Sequence, residues 1–323
     1  MVAALLLGLL LVAEPGLVVN GLLLGATFAL GAMGLSLVFG LMRFVHIAHG
    51  DYMTLGAYVT FFLLTVAFPK LGLSQAGLGP FTFGYPFLLA IPLAMLAVSV
   101  LAVVLDRLVY QSWRWKHVNV VVMTMASLGI AIALRAVIQM IWGTQPLQYP
   151  REARQFLFLP GDIRIPPDNL FLGLTSVLLV VGVYLFLSRT RVGKAMRATA
   201  DNPELARISG IHTDRVIRWA WVLGASLAAA AGCLLAVSQA QLLPILGWKV
   251  LIPIFAAAIL GGFGNLYGAF IGALIVGVSM ELSTQWISPS YKPGVAFAII
   301  LLVLLVRPRG ILGGSNHGNH GNI

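Results

Sequence analysis

The sequence predicts an all-α integral membrane protein: a polytopic bundle of eight to nine transmembrane helices, with a short extra helix in one long connecting loop. Three observations lead there. Of the 323 residues, 59% are apolar and only 9% are charged, and the mean hydropathy is +0.96; a soluble domain carries roughly a quarter charged residues. The apolar residues fall into runs of about the ~20 residues needed to span a bilayer. The basic residues behind the net charge of +10 sit in short segments between those runs, as membrane proteins place them. Most of the surface therefore meets the lipid bilayer, and no nucleic acid is expected as a partner.

Taken in order, Leu17–Gly40, Tyr52–Phe68, Pro86–Leu105, Leu170–Leu187 and Trp219–Val237 contain no charge. Val118–Trp142 carries one ionisable residue, Arg135, and Leu266–Ile287 carries one, Glu281. Ile245–Phe263 and Pro293–Val306 are marginal; the latter rises only ~21 Å at 1.5 Å per residue. Val2–Ala13 is too short to span and has no basic flank, which reads as an extra N-terminal helix rather than a cleaved signal peptide. Residues 1–313 then form one transmembrane domain, with a cytoplasmic loop at 188–218, and residues 314–323 form a disordered tail.

Glycines at a spacing of four, Gly21 and Gly25 in one span and Gly264, Gly268 and Gly272 in another, let backbones approach closely. The simplest use of them is dense packing within one bundle. The two helices run in opposite directions when the spans are threaded alternately, which suits an inverted-repeat architecture. With the 188–218 loop placed in the cytoplasm, thirteen of the 20 Lys and Arg residues fall on that side and six on the other. The C-terminus is then cytoplasmic.

The long loop reads Asp201-Asn-Pro-Glu-Leu-Ala-Arg-Ile-Ser-Gly210. Asn202 can cap, Pro203 suits the first helical position, Glu204 adds charge to the first turn and Gly210 suits the left-handed residue past the end. These residues write a two-turn helix over Pro203–Ser209. Such a helix is marginal alone in water, so either it docks on something or the loop is a solvated connector.

His46, His49 and Asp51 cluster between two spans. A histidine-rich metal centre needs several such clusters; here the pattern points to a tight connection in which these side chains hold backbone groups, and no metal is expected. A charge at a span centre costs ~2.5–3.5 kcal/mol on insertion scales, so Arg135 and Glu281 either border a pathway or snorkel to the interface. Ion-coupled transport needs intramembrane carboxylates, and only Glu281 qualifies within the runs above. No phosphate-cradling Gly-x-x-x-x-Gly-Lys-Ser/Thr occurs, so the chain holds no ATP by itself. Cys233, the single cysteine, reads as a packed thiol.

Several ordered motifs carry a resemblance over Gly21 to Gly313. They are Asn20-Gly-x3-Gly25, Val45-His-Ile-Ala-His-Gly-Asp51, Gly193-Lys-Ala-Met-Arg-Ala-x-Ala-Asp201 with Ala206-x3-Gly210, Ala257-Ala-Ile-Leu-Gly-Gly262, Gly268-Ala-x-x-Gly272 and Arg307-Pro-Arg-Gly-Ile-Leu-Gly313. The chain resembles the permeases of high-affinity branched-chain amino-acid ABC importers of the Liv type, and within them the first of the two permeases. The resemblance implies a bacterial inner-membrane subunit that is not an enzyme. It would work with a second related permease, two cytoplasmic ATPases that bind the ATP and Mg, and a periplasmic binding protein. No cofactor is implied for this chain.

The resemblance further implies that Asp201, Asn202, Pro203, Glu204, Leu205, Ala206, Arg207 and Gly210 form the segment that couples to the ATPase. The candidates for the pathway or its gating are Asn20, Gly21, Gly25, His46, His49, Asp51, Arg135, Gly264 and Glu281. His46 and Ile47 stand where family members often carry Asn and Phe. Two cargo classes stay open on that account: an aliphatic amino acid, or urea and short amides. The threading has a direct check. Single cysteines at Ser315 and Gln148 in a Cys233→Ala background should label from opposite sides of the membrane, and labelling of both by an impermeant reagent in intact cells would overturn it.

Overall fold

The computed structural model describes residues 14–73, 78–116, 118–150, 157–159 and 163–312. The expected helix at Val2–Ala13 and the tail at 314–323 lie outside the described residues. Among the described residues, eight helices are long and apolar enough to cross a membrane, and the shorter Leu246–Gly261 joins them.

In chain order the helices are α1 (Pro15–Met42), α2 (His49–Phe62, running on through a π-helical turn to Lys70) and α3 (Tyr85–Leu105, running on likewise to Trp115). Then follow α4 (Val120–Trp142), α5 (Pro167–Arg189), α6 (Arg191–Asp201), α7 (Pro203–Ile208), α8 (Thr213–Gln239), α9 (Leu246–Gly261), α10 (Leu266–Leu282) and α11 (Lys292–Val306). Every predicted span is present. One departure from an all-helical chain is a two-stranded antiparallel hairpin between α4 and α5, β1 (Leu157–Leu159) and β2 (Ile163–Ile165), with Leu157 opposite Ile165.

The core is organised on α1, which is buried continuously from Gly25 to Val38. A Cβ on Gly21 would lie 2.7 Å from Val278 Cα and one on Gly25 2.8 Å from Leu274 Cα, so α1 and α10 pack antiparallel, backbone against backbone. Where α1 crosses α8, Gly34 and Gly224 are each other's neighbours in the same way. Gly268 and Gly272 face Gly261 and Ala257 of α9. Both glycine series thus serve packing within one chain, as the simpler expectation had it.

The two halves repeat. Among the described residues, Arg43 and Ala240 are the non-glycine residues with positive φ, both at 58°. Each ends a long helix, α1 or α8, and each opens a connection of equal length to the next helix, α2 or α9. The second residues of those helices, Gly50 and Gly247, meet backbone to backbone. Packing follows the same correspondence: α3 lies on α8 and α2 as α10 lies on α1 and α9, and α4 lies on α2 as α11 lies on α9. Five spans precede α8, so the units α1–α4 and α8–α11 run in opposite directions, and α5 stands outside the repeat against α1 and α8.

Both connections fold back into the bundle. The His49 ring donates from Nε2 to the Gly31 carbonyl at 2.9 Å, so α2 begins beside the middle of α1 and not at its end. Gly247 N–H donates to Thr54 Oγ1 at 2.9 Å, which holds the start of α9 against the first turns of α2. Irregular backbone at such depth is tolerated only when enclosed by protein; here Phe44, His46 and Ala48 are fully buried, and Ile47 N–H donates to Ser127 Oγ at 3.0 Å.

The glycine contacts make a graded prediction. Gly25→Val should lower thermal stability in detergent by about 1–3 kcal/mol through overpacking. Gly182→Val on α5, where an added Cβ meets nothing within 4 Å, should leave the melting temperature nearly unchanged. Equal melting of both variants would discount the close contact.

Candidate functional site

Three arrangements collect the polar groups of this apolar chain. The first surrounds the start of α2. Asp51, in its first turn, is 1% exposed and takes a two-pronged contact from Arg135 of α4: Nε donates to Oδ1 and Nη2 to Oδ2, both at 3.1 Å. The guanidinium also lies 4.9 Å from the centre of the Trp248 ring, at the start of α9. A charge pair in a low-dielectric interior is held only while both partners are satisfied, and the fork geometry of arginine suits a carboxylate.

This corrects the expectation that Asp51, with the histidines, ties down backbone. His49 does so; Asp51 instead neutralises Arg135. Arg135 does not snorkel to the interface. It continues the inward stripe of Met123, Ser127 and Ala131 at intervals of four along α4. Asp51 also lies within a spanning helix, as do Asp106, Asp168 and Asp214, although the charge-free runs had placed all four outside.

His46 makes no hydrogen bond through either ring nitrogen. It sits among the rings of Trp221, Tyr52, Tyr110 and Phe44, at centroid distances of 4.8, 5.2, 5.9 and 6.0 Å.

The second arrangement is a seam between α1, α5 and α10. At one end a recess of about 320 Å³ is lined by Asn20, Leu23, Leu24 and Thr27 of α1, Asn169 and Leu172 of α5, and Glu281 of α10. Glu281 is paired through Oε1 with Lys292 Nζ at 2.7 Å, so it too is held by a partner. At the other end a mainly apolar groove of about 840 Å³ runs from Met33–Leu41 of α1 to Gly264–Ile271, floored by Met196, Arg197, Ala200 and Asp201 of α6. The recess and the groove share no residue, and the buried stretch of α1 between Thr27 and Met33 separates them.

The structure therefore divides the pathway candidates. Asn20 and Glu281 line the recess, Gly21 and Gly25 hold α1 to α10 beside it, and Gly264 lines the groove. His46, His49, Asp51 and Arg135 line neither. Asn169, Lys292 and Trp248 were missed. Asn169 and Trp248 matter only through helices distant in sequence, and Lys292, eleven residues from Glu281, meets it only because α11 folds back on α10.

The third arrangement is the loop between α5 and α8, which is a hairpin of two helices rather than one short helix between spans. Thr190 caps α6 by accepting from Gly193 N–H at 3.1 Å, and the amphipathic α6 turns Met196 inward. Asn202 Oδ1 accepts from both Glu204 and Leu205 N–H at 3.0 Å, capping α7 as its sequence predicted. Gly210, at φ 83°, closes α7, and Ile211 N–H returns to the Ala206 carbonyl at 3.0 Å. Ala206 is buried, whereas Leu205 is 56% and Ile208 81% exposed. Arg43 donates to the Ala200 carbonyl at 2.8 Å and Arg197 to the Leu187 carbonyl at 2.6 Å, fastening the hairpin to the ends of α1 and α5.

An inverted pair of helical units with re-entrant helix starts, a polar recess at one end of a seam and a mainly apolar groove at the other, is the architecture of a membrane transport protein. The family described as branched-chain amino acid transport system / permease component matches residues 17–304. The high-affinity branched-chain amino acid transport system permease protein LivH of Salmonella typhimurium is 33% identical over 91% of this chain and 94% of its own length. LivH of Escherichia coli is 32% identical and BraD of Pseudomonas aeruginosa 30% identical over the same shares. No solved structure gives a significant match. The chain belongs to this family of transport permeases, which is not a class of enzymes.

Truncating one partner of the buried pair leaves the other uncompensated. Arg135→Leu should cost about 3 kcal/mol or more of stability, and adding Asp51→Leu should regain most of the loss. Thermal unfolding of the purified variants in detergent checks this; a double variant no better than the single would show that the two side chains are not coupled.

Proposed function

We propose that the chain is the permease subunit of an ATP-driven importer that moves branched-chain, aliphatic amino acids from the periplasm to the cytoplasm. It sits in the inner membrane with its C-terminus cytoplasmic. It pairs with a second related permease, receives substrate from a periplasmic binding protein and is driven by two ATPase subunits that hold the ATP and Mg. The observation that carries this reading is the end-to-end similarity to LivH and BraD, whose names assign branched-chain amino acid transport to them.

In this reading, Asp201 to Arg207 with Gly210 form the face that meets an ATPase. What supports it is that α7 is capped at both ends yet presents Leu205 and Ile208 outward, apolar surface that a partner cleft would cover. Movement imposed there reaches the seam mechanically, because the hairpin is bonded to the ends of both α1 and α5. The seam is the route, with Asn20, Gly21, Gly25 and Glu281 at its outer end and Gly264 at its inner end; His46, His49, Asp51 and Arg135 hold the re-entrant frame behind it.

Reconstituted with its partners, the complex should take up labelled leucine in an ATP-dependent manner and should not take up urea. Leu205→Asp puts a charge on the docking face but lies outside the spans, so the complex should still assemble. ATP hydrolysis should then lose its stimulation by loaded binding protein, and uptake should fall with it. Gly210→Val, which forces a β-branched residue into the left-handed region at a cost of order 1–2 kcal/mol, should weaken coupling in the same direction. Normal stimulated hydrolysis in Leu205→Asp would remove the coupling assignment.

A further inference from the structure

We propose that the recess beside Asn20, Asn169 and Glu281 is a binding subsite for a zwitterionic amino acid, which enters by exchanging charges with the Glu281–Lys292 pair. The substrate's ammonium takes the place of Lys292 at Glu281, and its carboxylate takes the freed Lys292. The proposal rests on the reading of the chain as an amino-acid permease and says where in this subunit the cargo is recognised.

The recess has the size and the division of surface that such a ligand needs. At about 320 Å³ it equals roughly ten waters at about 30 Å³ each, room for one aliphatic amino acid with part of its hydration. Leu23, Leu24, Leu172 and Leu235 supply an apolar wall, and Asn20, Thr27, Asn169, Ser238 and Glu281 a polar one. Asn20 and Asn169 each hold the amide oxygen buried without a hydrogen-bond partner. Buried acceptors left in this state are costly and call for a donor. An ammonium brings three N–H donors and no acceptor, which matches two amide oxygens and a carboxylate.

The ion pair adds selectivity. Lys292 and Glu281 are only 24% and 16% exposed, so each charge depends on the other. A ligand carrying only an ammonium would satisfy Glu281 and strand Lys292, and one carrying only a carboxylate would do the reverse. A zwitterion satisfies both at once. A neutral amide displaces neither and leaves the pair shut. The inner side of the recess is closed, because Gly173 of α5 is pressed against Leu23 and Gly25 against the α10 backbone. The subsite therefore holds its ligand at the outer end of the seam until α1 parts from those helices.

The test is ligand protection in the assembled complex. Leu24→Cys in a Cys233→Ala background places a thiol in the recess wall. Saturating leucine should slow its reaction with a small thiol reagent roughly tenfold, whereas 4-methylpentanoate, 3-methylbutylamine and urea should not. Glu281→Gln should weaken protection by leucine on the order of tenfold or more, as expected for loss of a buried charge partner. Lys292→Met should do something a merely structural pair would not: with Glu281 left without its cation, 3-methylbutylamine should now protect. Leucine uptake with no protection of the thiol, equal protection by 4-methylpentanoate, or a Lys292→Met variant indifferent to the amine would each overturn the subsite while leaving the transport reading intact. A complex that takes up no leucine at all would instead overturn the transport reading, and this subsite with it.

Discussion

Helix α1 is held by contacts in which a side chain has been removed. Within a bilayer, lipid tails are as apolar as leucine, so no hydrophobic effect presses one helix on another, and association relies on van der Waals contact at short range. Gly21 and Gly25 against α10, and Gly34 against Gly224 of α8, bring backbones to distances that no Cβ would allow. The depth of everything else follows from that closeness. His49 reaches the Gly31 carbonyl because α1 is thin along this face, and that bond fixes where α2 starts. Gly50 and Gly247 then place the start of α9 beside it. The inverted halves meet on these small residues, so the shape of the bundle is set by what its central helix lacks.

Charge is handled by pairing across helices. Asp51 with Arg135 joins α2 to α4 and Glu281 with Lys292 joins α10 to α11, while Asp106 with Arg114 braces the last turns of α3 internally. A buried pair contributes little net stability against an apolar replacement, yet breaking it is expensive. Such pairs therefore specify which helices meet and at what register more than they strengthen the bundle. The Asp51–Arg135 pair is closed off by the Trp248 ring, whereas the Glu281–Lys292 pair borders an open recess. The two pairs differ in surroundings and not in the type of interaction.

The seam has one mechanical property that its two ends share. The α6–α7 hairpin is bonded to α1 through Arg43 and Ala200 and to α5 through Arg197 and Leu187. Those two helices are also the walls of both the recess and the groove. A displacement of the hairpin acts on both walls at once, without passing through the α2–α4 frame, which is tied separately by Asp51 and Arg135.

What the sequence determined by itself is what depends on neighbouring residues. Hydropathy over span-length runs placed every spanning helix, because insertion into lipid is decided segment by segment. Asn202, Pro203 and Gly210 announced the ends of α7, because caps are bonds between residues a few positions apart. The glycine spacing showed which faces approach closely, although not against which helix. Tertiary structure alone decided the rest. Asp51 and Arg135 stand 84 positions apart in the chain, and nothing local distinguishes an arginine that snorkels from one that is paired. Asn20, Asn169 and Glu281 form one recess only because α1, α5 and α10 pack side by side. Which helices pack so is settled by backbone contacts summed over the whole bundle, a quantity that no single segment carries.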